Sequence, residues 1–246
     1  MLLYITIISF SLKTILCQNI DVLSNILESA QSAIKVIEAD IALMEGIVED
    51  LQNDVVKIQV YYECLCPDCR IFDSTSLLDV YEKLHDFLEV RTYPYGNAKT
   101  NVHDDGTVDF QCQHGPLECY GNKLHACAIS ILNNNMKSIP FNACMMDNKN
   151  EGKGSDDRAA EKCGMLLKIN AEPIKDCAKS KKGEDLLKYF GDESHKVNYS
   201  YVPFILINDV EWDQEKEPDF MKSVCAAFRV PPTQCTEDIR FNIIQI

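Results

Sequence analysis

The stretch VVKIQVYYECLCPDC, residues 55–69, carries two signals in one run. Its first eight residues, Val55 to Tyr62, are mostly β-branched or aromatic and predict a strand. The remainder, Glu63 to Cys69, sets Cys66 and Cys69 three apart with Pro67 between them. Proline suits the first turn of a helix, because it has no N–H to leave unpaired there. Beyond Cys69 the apolar positions Leu77, Tyr81, Leu84 and Leu88, flanked by Val80 and Phe87, keep helical spacing. A second strand around Glu89 to Tyr93 and a turn at Pro94 to Asn97 complete a β-α-β opening.

A strand leading into C-x-x-C and a helix leaving it is the arrangement of a redox pair. A thiolate attacks a disulfide sulfur, and a second thiol nearby then breaks the mixed disulfide. Cys66, at the helix start, meets unpaired N–H groups and the positive end of the helix dipole, so it is the expected attacker, exposed at the helix tip. Cys69, one turn on, is the expected resolver. Asp68 works against the thiolate when ionised. A thiol of pKa near 8.5 is only about 0.03% ionised at pH 5, and lowering the pKa to about 5 takes roughly 4.8 kcal/mol. A helix dipole supplies about 0.3 to 2 kcal/mol, so N–H bonds to the sulfur or a bond from Cys69 must supply the rest.

The pair has a second reading as half of a zinc site, completed by His103, His114, Cys112 and Cys119, or as part of a structural disulfide. The strand-to-helix context favours redox chemistry, and no metal is expected. Val202-Pro203 adds to this, since proline in a buried strand is a misfit unless it starts the strand or is cis. A cis proline beside the pair is how thioredoxin-like folds hold a substrate chain, which makes Val202 and Pro203 candidate substrate-binding residues.

Outward from this centre, residues from about 98 to 195 are cysteine-studded, polar and mostly helical in pattern, too long for a loop and therefore an inserted subdomain. Tyr201 to Ile207 reads as another buried strand, and Pro218 to Phe228 as a closing helix. Residues 1–17 resemble a signal peptide with cleavage near Cys17, although a retained N-terminal anchor is also open. No later segment is long enough to span a membrane. From Ile20 to Leu51 two apolar positions repeat every seven residues, Ile20, Leu27, Ile34, Ile41 and Val48 on one and Leu23, Ala30, Ile37, Met44 and Leu51 on the other. That is a coiled-coil seam, so residues 20–51 either join copies of the chain into a homo-oligomer or lie on their own domain.

The 246 residues include 12 cysteines, and 38 acids face 24 bases for a net charge of −14. Cysteine use at that level behind a leader points to the secretory route. With Cys17 and the redox pair set aside, nine cysteines remain, enough for four structural disulfides and one odd thiol. Such an acidic chain is a poor nucleic-acid binder, and it carries its charge more easily in an acidic compartment. Asn198-Tyr-Ser200 is an N-glycosylation sequon beside Val202-Pro203.

Several motifs in order resemble the gamma-interferon-inducible lysosomal thiol reductase family. They are Tyr61-Tyr62-Glu63 before the C-x-x-C, Pro94 to Ala98, the run Cys112-Gln-His-Gly-Pro-Leu-Glu-Cys119 with Asn122 and Cys127 after it, and Tyr201-Val-Pro203. Cys144, Cys163, Cys177, Cys225 and Cys235 also fall where that family keeps cysteines, so with Cys112, Cys119 and Cys127 they are the structural disulfide candidates. The resemblance covers about Val55 to Cys235. It implies an α/β thioredoxin-like fold with a helical, disulfide-rich insertion that reduces protein disulfides at acidic pH. It also implies recycling by a small thiol such as cysteine or glutathione, with no bound cofactor, in lysosomes or outside the cell. Within the signature, Gln113, His114 and Gly115 either approach the redox pair or shape a disulfide-bound loop. Cys64 departs from the pattern and is expected to be the odd thiol, able to compete for the mixed disulfide or pair between chains.

The resulting division is a leader at 1–17, a heptad-patterned helix at 18–54, a reductase domain at 55–235 and a tail at 236–246. The expected function is a thiol-disulfide reductase acting on disulfide-containing proteins. The alternatives are a redox-inactive binding protein on the same fold, or a disulfide oxidase or isomerase.

Overall fold

The computed structural model describes residues 22–25, 27–46, 48, 54–147 and 154–236. The leader and almost all of the tail lie outside the described residues. The chain divides into two compact units, Met1–Asn53 and Asp54–Ile246. In the first, the described residues between 22 and 48 are helical, here α1, and Leu23, Leu27, Ile34, Ile37, Ile41 and Met44 of the heptad stripe are exposed. No helix among the described residues is long and apolar enough to cross a membrane.

The second unit is organised around β1, Val56–Tyr62, whose alternating side chains serve two cores. Val56, Ile58, Val60 and Tyr62 point into one, and Tyr61 points into the other. β1 pairs in parallel with β2, Leu88–Pro94, and antiparallel with β5, Phe204–Ile207. β6, Val210–Glu211, completes the sheet in the order β2-β1-β5-β6. Parallel strands require a crossover. Here it is α2, Pro67–Phe72, a π-helical segment at Asp73–Leu77, α3, Leu78–Leu84, and a 3-10 turn at His85–Phe87. These pack on the Val56 face with α9, Phe220–Ala226, where Phe72, Trp212 and Phe220 meet edge to face or tilted. On the opposite face Tyr61 stacks on its register partner Tyr93 with ring centroids 4.4 Å apart.

Between β2 and β5 lies the insertion. It opens with a hairpin, β3 at Lys99–Val102 and β4 at Val108–Gln111, where the sequence pattern suggests mainly helix. Its strands are four residues long and largely solvent-facing, so they lack the buried alternation that betrays longer strands. Five helices follow: α4 Pro116–Leu132, α5 Asn135–Met146, α6 Asp157–Leu167, α7 Glu172–Ala178 and α8 Lys181–Ser194. They enclose their own core around Leu124, Phe141, Met145 and Ile174. Disulfides pin it. Cys112–Cys119 joins the hairpin to α4, Cys127–Cys177 joins α4 to α7, and Cys144–Cys163 joins α5 to α6. Cys225–Cys235 closes the end of the domain.

Candidate active site

α2 starts where β1 ends, and Cys66 is its N-cap with Pro67 at the first helical position. The Cys66 sulfur accepts the Cys69 N–H at 3.5 Å, and the Val202 carbonyl oxygen lies 3.7 Å away, within reach of an S–H on Cys66. The Val202-Pro203 peptide is cis, and both residues are partly exposed, so the end of the loop entering β5 flanks the sulfur. Cys66 itself is not at an exposed tip. Only 8% of the residue is accessible, because this segment covers it and its side chain turns into the sheet core. Cys69 is fully enclosed.

The electrostatics separate the two thiols. The Cys66 pKa is lowered to about 6, chiefly by a hydrogen bond from the Cys69 side chain, then by the backbone N–H groups of Cys69 and Asp68, against the opposing pull of burial. Asp68 thus acts in two directions, since its carboxylate raises the thiol pKa while its N–H lowers it. Burial and the neighbouring Cys66 sulfur hold the Cys69 thiol far above its ordinary range, so the shared proton stays on Cys69. An unperturbed thiol is about 0.03% ionised at pH 5, whereas a pKa near 6 gives about 10%.

Cys64 corrects the expectation of a competing thiol. It is fully buried, its S–H points to the Glu118 carbonyl at 3.6 Å, and burial pushes its pKa well up. A Cβ on Gly121 would stand 2.4 Å from its sulfur, so no substrate or second chain reaches it.

The signature residues gather around the turn that precedes Cys66. Asn122 Oδ1 accepts the Cys64 N–H at 2.9 Å, and the Glu63 carbonyl accepts the Cys66 N–H at 3.3 Å. Glu63 Oε2 accepts the Asn97 N–H at 2.9 Å, and Gly96, at φ +62°, leaves room for that carboxylate where a Cβ would sit 2.4 Å away. Asn97 Nδ2 donates to Gln113 Oε1 at 2.7 Å. His114 Nδ1 lies 2.6 Å from Glu118 Oε2 and 3.3 Å from Glu63 Oε1. Burial raises the Glu63 pKa to about 7.

The zinc set that the sequence allows does not assemble. Cys112 and Cys119 are joined to each other, and His103 pairs with Asp109 in the hairpin. Asn198 is exposed.

Most of the enclosing polar groups carry no mark in the sequence. Glu63 and Glu118 are buried carboxylates, Asp73 is a buried acid one turn after Cys69, and Tyr62 Oη, His125 and Ser155 Oγ form a buried chain with 2.7 Å links. Only the motif positions of Glu63 and Glu118 could have drawn attention to them; Asp73, His125 and Ser155 leave no local mark.

The geometry agrees with comparison to known proteins. Residues 57–166 match the family model described as gamma interferon inducible lysosomal thiol reductase. A GILT-like protein 2 of Drosophila melanogaster is 37% identical, the match covering 65% of this chain and 72% of the relative. A gamma-interferon-inducible lysosomal thiol reductase-like protein of Anopheles gambiae is 30% identical over 74% of this chain and 80% of its own length. In fold, the chain resembles the reduced form of the disulfide bond oxidoreductase DsbG from Mycobacterium tuberculosis, with a TM-score of 0.52 at 15% identity, covering 74% of this chain and 82% of that one. With its thioredoxin-like sheet and a cysteine pair at the start of the first crossover helix, this chain belongs to the gamma-interferon-inducible lysosomal thiol reductase family and is a thiol-disulfide oxidoreductase.

Proposed function

We propose that the chain reduces disulfide bonds of protein substrates in an acidic compartment of the secretory route, with Cys66 as nucleophile and Cys69 as resolving thiol. The observation that carries this reading is the Cys66 sulfur at the N-cap of α2, bonded by the Cys69 N–H and lowered in pKa to about 6. Cys66 thiolate attacks one sulfur of the substrate disulfide, and the other sulfur leaves and takes a proton. Cys69 then loses its proton and attacks the Cys66 sulfur, releasing the second substrate thiol and closing Cys66 to Cys69. Two molecules of a small thiol such as cysteine or glutathione restore the dithiol and leave as their own disulfide.

Burial of Cys69 suits this order, because a thiol held protonated does not compete for the first attack. The extended substrate chain docks on the backbone of Val202 and Pro203, a reading supported by the Val202 carbonyl 3.7 Å from the Cys66 sulfur. Cys66→Ser is expected to abolish insulin reduction, whereas Cys69→Ser retains the first attack and accumulates mixed disulfides visible by mass spectrometry. Full activity in Cys66→Ser overturns the assignment.

A further inference from the structure

Apart from the cysteine pair, the signature loop forms a second cluster with a chemistry of its own. Glu63, at the exit of β1, and Glu118, in the first turn of α4, are 1% and 0% exposed in their side chains. Between them stands His114, whose side chain is 34% exposed. One oxygen of each carboxylate is fixed by a backbone N–H: Glu63 Oε2 by Asn97 at 2.9 Å and Glu118 Oε1 by His114 at 3.0 Å. The other oxygens turn toward the same imidazole nitrogen. Glu63 Oε1 is buried without a hydrogen-bond partner, although it lies 3.3 Å from His114 Nδ1. An orphaned buried carboxylate oxygen is costly and calls for an occupant.

We propose that Glu63 Oε1, His114 Nδ1 and Glu118 Oε2 bind one divalent transition-metal ion of the zinc class. The three atoms lie within 4.8 Å of one another. Ligands about 2.0 to 2.2 Å from a tetrahedral ion stand roughly 3.3 Å apart. The Glu63–His114 pair has that spacing, at 3.3 Å. The Glu118–His114 pair, at 2.6 Å, opens by roughly 0.7 Å when an ion replaces the shared proton. Charge is compatible with this: when Glu63 and Glu118 are both ionised, a dication with a neutral imidazole leaves the enclosed cluster uncharged. An imidazole ligand selects zinc-like ions over magnesium or calcium. The backbone N–H groups on the outer oxygens are the supports that orient metal ligands, and the exposed flank of His114 leaves a fourth position open to water. The ion would brace the Glu63 turn, whose carbonyl holds the Cys66 N–H, against α4.

The test uses the full chain oxidised so that Cys66 and Cys69 are closed, freed of metal with a chelator, and titrated with zinc chloride by calorimetry. One equivalent is expected to bind, at least tenfold more weakly in His114→Ala, whose partly exposed side chain can be removed without emptying the core. His103→Ala, in the exposed hairpin, is expected to bind as the parent does. In parallel, cobalt(II) bound to the unmutated protein should show an absorption spectrum of nitrogen and oxygen ligation. Absence of saturable binding, equal affinity in His114→Ala, or a sulfur-to-cobalt charge-transfer band overturns the proposal.

Discussion

His125 shows how a single buried side chain sets the response to acid. It is fully enclosed between Tyr62 Oη and Ser155 Oγ, and burial lowers its pKa to about 3. The unfolded chain takes up this proton below about pH 6.5, while the folded chain refuses it until about pH 3, so its contribution to stability is lost as pH falls through that window. Between pH 7 and pH 5 the loss is about 2 kcal/mol. Asp73 acts with the opposite sign: burial raises its pKa well up, so its contribution is fully present at low pH and fades as pH rises. His125→Gln is therefore expected to shift the difference in unfolding free energy between pH 5 and pH 7 by about 2 kcal/mol in favour of pH 5, measured by urea titration. An unchanged difference would mean that His125 is protonated in the fold. At this scale the sequence is legible where chemistry is local. Cys66 and Cys69 are marked by spacing and by the strand before them. The clasp on their turn is not, because Asn122 meets Cys64 across 58 residues and Asn97 meets Glu63 across 34.

Elements are legible where burial is periodic. β1 and β5 carry β-branched and apolar runs, β2 alternates Leu88, Val90 and Tyr93 with polar residues, and α9 keeps helical spacing, whereas the β3–β4 hairpin is too short and too exposed to show such a pattern. Cysteine counting predicts the number of disulfides but not the pairs, since eight cysteines allow 105 connectivities and only packing of the insertion helices selects one. The Cys127–Cys177 bond, which closes a separation of 50 residues between α4 and α7, removes the most unfolded-state freedom. Replacing both cysteines by alanine is expected to cost about 4 kcal/mol by chain entropy, read as a lower urea midpoint. The shorter Cys225–Cys235 link, at a separation of 10, is expected to cost about 2.7 kcal/mol by the same measure. Equal losses for the two would show that loop length is not what these bonds act through.

For the whole chain, composition shows an acidic, cysteine-rich protein, and the motif order points to the family, while neither explains α1. Its exposed apolar stripe and the eight acids and one base between Asp21 and Asp54 make its behaviour a matter of charge. If copies pair in parallel through the heptads, Asp40 faces Glu45 of the second copy, and protonation relieves that repulsion. Self-association is expected to strengthen from pH 7 to pH 5 in sedimentation velocity, and to vanish when residues 18–53 are deleted; identical sedimentation at both pH values argues against it.

The proposed reduction requires an anionic sulfur at Cys66 held by its partner one turn on. Alkylation across pH of the protein with Cys66 and Cys69 reduced and the four structural disulfides intact, with the modified cysteine identified by mass spectrometry, measures this directly. The expected result is modification of Cys66 alone, with a midpoint near pH 6. Modification of Cys69 first, or a Cys66 midpoint at about 8.5 as for an unperturbed thiol, would contradict it.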